Sequence, residues 1–142
     1  IMFIFLDLGY AHVSNGNLPD GPRPNIESYS LIIRALCQNG RSKEAVHFYK
    51  EMLLSGLKAD TEICDFLLHY LSNAGLLYDA VELSKYIIKQ KLVISIETQR
   101  MFFKSLHDAG DLSNALKIFD SMKWRGCITQ KSNFHEVIGI RC

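Results

Sequence analysis

Leu36-Cys37-Gln38-Asn39-Gly40-Arg41-Ser42-Lys43-Glu44-Ala45 returns 35 residues later as Leu71-Ser72-Asn73-Ala74-Gly75-Leu76-Leu77-Tyr78-Asp79-Ala80, and again as Leu106-His107-Asp108-Ala109-Gly110-Asp111-Leu112-Ser113-Asn114-Ala115. Leucine, glycine and alanine hold their places in every copy. Two further columns keep the same period, Phe48/Leu83/Ile118 and Met52/Ile87/Met122. Agreement at one spacing without insertion marks a repeat architecture, in which each unit is one supersecondary motif.

Each column has a physical task. Leu31, Ile32, Ala35 and Leu36 recur at helical spacing and predict the apolar face of a first helix, A; Phe66, Leu67 and Leu71, then Met101, Phe102 and Leu106, repeat it. Gly40, Gly75 and Gly110 follow directly, where a residue free to take positive φ stops the helix and turns the chain. A second helix, B, then begins. Its alanines at 45, 80 and 115 allow close approach to helix A, and Phe48, Tyr49, Met52 and Leu53 complete its buried stripe. Gly56 and Gly126 end helix B in the outer units. Lys91 stands there in the middle one, which predicts a less sharply fixed turn. One helix pair cannot bury both of its sides, so pairs must stack.

The ends differ from the repeats. Residues 1–25 hold an apolar run, Ile1 to Leu6, and a breaker cluster of Gly16, Pro19, Gly21, Pro22 and Pro24, which read as the remnant of a preceding repeat and a linker. The run is far shorter than the ~20 residues of a membrane span and lacks the basic flank of a signal peptide. A start at Ile1 suggests a processed or partial chain. Residues 131–142, with apolar Phe134, Val137 and Ile138, read as a partial helix capping the stack.

The composition, 48% hydrophobic and 22% charged over 142 residues, is that of a packed protein. A formal net charge of +1 lacks the basic excess of a dedicated nucleic-acid binder. Cys37, Cys64, Cys127 and Cys142 show neither zinc-knuckle nor Cys-x-x-Cys spacing, and Cys37 and Cys64 read as small core hydrophobes in a reducing compartment. His12, His47, His69, His107 and His135 form no metal-ligand pattern, and no phosphate loop, serine elbow or spaced carboxylate pair occurs. The expectation is a protein that is not an enzyme, with no cofactor, metal, membrane or small-molecule substrate.

Among helix-pair families, the tetratricopeptide repeat has 34 residues and a Trp, Leu-Gly and Tyr signature missing here. The unit Asn25-Ile26-Glu27-Ser28-Tyr29-Ser30-Leu31-Ile32, Ala35-Leu36-Cys37-Gln38-Asn39-Gly40, Glu44-Ala45, Phe48, Glu51-Met52 and Gly56 resembles the pentatricopeptide repeat of 35 residues. The resemblance divides the chain into repeats at 26–60, 61–95 and 96–130. It implies an all-α fold, an α-solenoid in which antiparallel helix pairs wind into a right-handed superhelix.

The resemblance also implies function. Family members are mostly organellar, in mitochondrion or chloroplast, and bind single-stranded RNA one base per repeat. The base edge is read by the fifth residue of helix A with the last residue of the repeat. Carried onto this chain, the pairs are Ser30 with Asp60, Asp65 with Ser95, and Arg100 with Gln130. The first resembles a guanine-type combination; the other two match no standard one. Arg34, His69 and Lys104, one turn beyond the first member of each pair, form a candidate basic rail for the RNA backbone. Against this, Glu27, Glu62 and Glu97 occupy the second repeat position, where the family places an apolar residue that sandwiches bases. The family's phosphate-contacting lysine is replaced by Gln38, Asn73 and Asp108. Carboxylates outnumber cations on this face, which weakens affinity for phosphates. The two readings are an RNA-associated adaptor and a protein-binding scaffold within an organellar ribonucleoprotein, such as a ribosome.

Overall fold

A computed structural model describes residues 25–139. Among these the regular structure is entirely helical: α1 Ile26–Gln38, α2 Ser42–Leu54, α3 Thr61–Asn73, α4 Leu77–Gln90, α5 Ile96–Asp108, α6 Leu112–Arg125 and α7 Phe134–Ile138. The remnant expected over residues 1–25 falls, apart from Asn25, outside the described residues. The chain forms two compact units, one ending at Ala59 and one beginning at Asp60.

In the first unit α1 packs on α2. Tyr29, Ile32, Ile33, Leu36 and Cys37 from α1 are buried, as are Ala45, Val46, Phe48, Tyr49 and Met52 from α2. Asn25 caps α1 by accepting from the Ser28 N–H at 2.9 Å, which satisfies one of the donors a helix start leaves unpaired. Gly40 takes φ +74° after α1, and Arg41 N–H returns to Leu36 O at 2.7 Å. Arg41 then holds Glu44 in the first turn of α2 through Nε and Nη2, at 2.7 and 2.5 Å.

The second unit is a two-layer stack. Helix α3 lies beside α5 and α4 beside α6, so A helices neighbour A helices and B helices neighbour B helices. Ala80 and Ala115 are fully buried, as a methyl-sized contact between paired helices requires. Polar bonds tie the two pairs: Ser105 Oγ donates to Ser72 O at 3.2 Å, and Ile94 N–H donates to Cys127 O at 3.0 Å. Helix α7 packs against α5. Its Phe134 sits edge-on to Phe103 and Phe119, with centroids 5.8 and 5.6 Å apart. Edge-to-face rings at this spacing contribute about 0.5–1.5 kcal/mol each beyond the area they bury.

Three sequence readings need correction. Leu31 is 66% exposed, and Phe66 and Met101 in its column are only half-buried. At about 100° per residue this column falls nearly opposite the centre of the stripe made by Tyr29, Ile32, Leu36 and Cys37. Ile33, Leu68 and Phe103 fill the core place instead. Leu53 is likewise half-buried. Lastly, Lys91 does not loosen its turn. It takes the left-handed conformation itself, φ 57°, and Leu92 N–H bonds back to Ile87 O at 3.1 Å.

Candidate nucleic-acid interface

The three A helices begin at Ile26, Thr61 and Ile96, and the residue before each caps it through its side chain. The last residue of each of the first two repeats, Asp60 and Ser95, is therefore the N-cap of the next helix A. Asp60 accepts from Ile63 N–H at 2.9 Å, and Ser95 from Thr98 N–H at 3.3 Å. Two proposed base-reading residues thus carry a helix-starting role that sequence reasoning did not assign to them.

Ser30 is half-buried on α1 in the first unit, while exposed Asp60 opens the second. Asp65 and Ser95 meet directly. Ser95 N–H donates to Asp65 Oδ1 at 3.0 Å, and Ser95 Oγ lies 3.2 and 3.0 Å from Asp65 Oδ1 and Oδ2. Buried Thr98 extends the group, its Oγ1 donating to Asp65 O at 3.4 Å. This carboxylate joins α3 to the start of α5.

Arg100 and Gln130 turn to other partners. Arg100 Nε donates to Val137 O at 3.1 Å, within α7. Gln130 exchanges side-chain hydrogen bonds with Gln99, whose Nε2 also donates to Ile94 O at 2.8 Å. Gln99 is only 1% exposed and was missed in the sequence. The signal was available, because Gln99 stands in the column of buried Tyr29 and Cys64, so its amide needed partners.

The proposed rail is mixed. Arg34 is half-buried on α1. His69 is half-buried with its ring edge-on to Tyr70, centroids 5.6 Å apart. Lys104 is exposed and pairs with Asp108 at 3.7 Å, one turn further along α5. Glu27, Glu62 and Glu97 are exposed in the first turns of α1, α3 and α5. A carboxylate there complements the positive end of the helix dipole, which gives the acidic column a structural role.

The buried thiols are shielded. Desolvation raises Cys37 to about 11 despite a hydrogen bond from Ser42, and raises Cys64 to about 12, helped by the charges of Asp60 and Asp65. Burial also raises Cys127, with Arg125 opposing. These groups are neutral core members near neutral pH.

Residues 24–62 match the PPR repeat family, and residues 103–127 match the PPR repeat. These two segments of the chain are pentatricopeptide repeats. A pentatricopeptide repeat-containing protein of Arabidopsis thaliana is 29% identical over 76% of the chain, and the small ribosomal subunit protein mS39 of Danio rerio is 27% identical over 82%. The crystal structure of the pentatricopeptide repeat protein PPR10 from maize superposes with a TM-score of 0.61 over 96% of the chain at 18% identity, which places the fold in the α-solenoid class. The chain spans 16% of the Arabidopsis relative, 19% of the Danio relative and 19% of the maize chain.

Proposed function

We propose that the chain is a non-catalytic pentatricopeptide-repeat adaptor associated with single-stranded RNA in organelle RNA metabolism, whether processing, splicing or translation. Its repeats at 26–60, 61–95 and 96–130 each present an outward face on helix A that is polar apart from the column of Leu31, Phe66 and Met101. The supporting observation is the recurrence of that face at the family's period, with Ser30 and Asp60 as its best-matched pair. The other pair residues already have intramolecular partners, so the RNA contact made by this segment is short and weak.

A second reading is favoured by a specific observation. Asp65 spends its hydrogen-bonding capacity on Ser95, and the acidic first turns repel phosphate. On this reading the segment is a protein-binding scaffold or structural subunit of an organellar ribonucleoprotein. Its likeness to a small ribosomal subunit protein supports that.

Fluorescence anisotropy with a labelled mixed-sequence single-stranded RNA, titrated over a salt series, separates the two. The adaptor reading expects measurable binding at low salt that falls as salt rises, with a slope of about −0.7 per phosphate neutralised. Absence of binding at low salt removes the adaptor reading and leaves the scaffold.

A further inference from the structure

The helix A faces of the second unit are acidic at their starts, yet the far end of its B layer is basic. Lys89 and Lys91 close α4, and Lys123, Trp124 and Arg125 close α6, with Lys131 in the loop beyond. Three contacts hold these segments at one end of the stack. Cys127 Sγ donates to Ile87 O at 3.6 Å, Ile94 N–H donates to Cys127 O at 3.0 Å, and Lys123 Nζ donates to Ser132 O at 3.1 Å. Lys89, Lys91, Arg125 and Lys131 are solvent-facing and form no ion pair among the described residues. The carboxylate nearest in α6 is Asp120, one turn before Trp124, and it leaves the cations in clear excess.

Cations in a last turn complement the helix dipole, which accounts for Lys89 and Lys123 in part. It does not account for Trp124. That indole is 88% exposed, and the 35-residue column that places it holds a lysine, Lys89, in the preceding repeat. A large aromatic left in water amid cations is the combination by which proteins hold single strands: the ring stacks on a base while the charges neutralise flanking phosphates.

We propose that this end of the second unit is a sequence-tolerant contact site for single-stranded RNA, with Trp124 as the stacking platform and Lys89, Lys91, Lys123, Arg125 and Lys131 as its phosphate contacts. The site is separate from the helix A faces, where single bases were expected to be read by pairs of residues. An acidic polypeptide would satisfy the charges but gains little from an isolated indole face, whereas every nucleobase offers a π-surface to it.

The chain contains one tryptophan, so its emission reports this site alone. The full chain is titrated with an oligouridylate of about ten nucleotides, and separately with polyglutamate of matched charge, a length suited to sites of this class. Oligouridylate is expected to quench Trp124 and polyglutamate to leave it nearly unchanged. Trp124→Leu is expected to weaken binding of a labelled oligouridylate roughly tenfold by anisotropy, as loss of one stacked base does. Lys123→Glu with Arg125→Glu should abolish the quench and reduce the magnitude of the salt slope by about 1.4, the contribution of two phosphate contacts. All three residues are exposed, so circular dichroism should stay unchanged. Oligouridylate that binds by anisotropy without altering Trp124 emission overturns this site while leaving the RNA-adaptor reading intact. Equal quenching by polyglutamate overturns it in favour of a protein contact, and no binding of either overturns both.

Discussion

Replacing Asp65 by alanine removes the carboxylate that accepts from both the amide and the hydroxyl of Ser95. Hydrogen bonds to a charged group contribute about 1.5–3 kcal/mol when well shielded. Asp65 is half-buried and Ser95 exposed, so water replaces part of what is lost, and about 1–2 kcal/mol is the expected cost. For a unit of this size each kcal/mol moves the midpoint by about 4–8 °C. Asp65→Ala should therefore lower Tm by about 4–16 °C. Ser95→Ala removes the same hydroxyl and the cap of α5, so the two variants should combine less than additively in a double-mutant cycle. Thermal melts followed by circular dichroism, with urea unfolding as the second probe, make the measurement. An unchanged midpoint for Asp65→Ala, or full additivity, would refute the view that this pair fastens α3 to α5. If loss of RNA affinity then appeared instead, Asp65 would be free to read a base.

Lys91→Gly should stabilise the second unit by about 0.5–1 kcal/mol in urea unfolding, because glycine takes the left-handed turn without the cost a Cβ imposes there. Ala115→Leu, which forces three more carbons between α5 and α6 at a fully buried point, should cost about 1–3 kcal/mol by the same measurement. Iodoacetamide at pH 8 should leave Cys37 and Cys64 unmodified in the folded chain and label them rapidly in urea. Their raised pKa values also set a sign: above the ordinary thiol value of 9.0 the unfolded chain loses protons that the folded one retains, so stability should fall as pH climbs towards 11. Glu62→Val with Glu97→Val should raise RNA affinity in anisotropy if these faces meet bases, and an unchanged affinity would remove the helix A faces of the second unit from the interface.

The repeating leucine, glycine and alanine columns made the helix pairs legible, because each records a constraint that acts within one turn or one crossing. Gly40, Gly75 and Gly110 all adopt positive φ at the bend where they were expected. The column of Leu31, Phe66 and Met101 misled, because a hydrophobic residue next in sequence to a buried one looks like part of the same face until helix phase is counted. The polar side chains were less legible still. Repeat position does not disclose that Asp65 is engaged by Ser95, that Arg100 reaches α7, or that Gln99 and Gln130 share their amides, since those choices depend on contacts between elements. The exposure of Trp124 was legible only through its column, where a lysine, Lys89, holds the same place and Leu54 is exposed as well.

One consequence of the capping column reaches beyond stability. Asn25, Asp60 and Ser95 each start a helix from a position that would also touch a ligand. If they do, only the few short polar side chains that can accept from a helix-starting N–H fit there, and a substitution made to change recognition also weakens the start of the helix it caps. Gln130 stands one period after Ser95 and is too long to cap in this way. There the next helix is postponed until Asn133, which closes a reciprocal box with Glu136. The repeat loses its rhythm at the position where its vocabulary is broken.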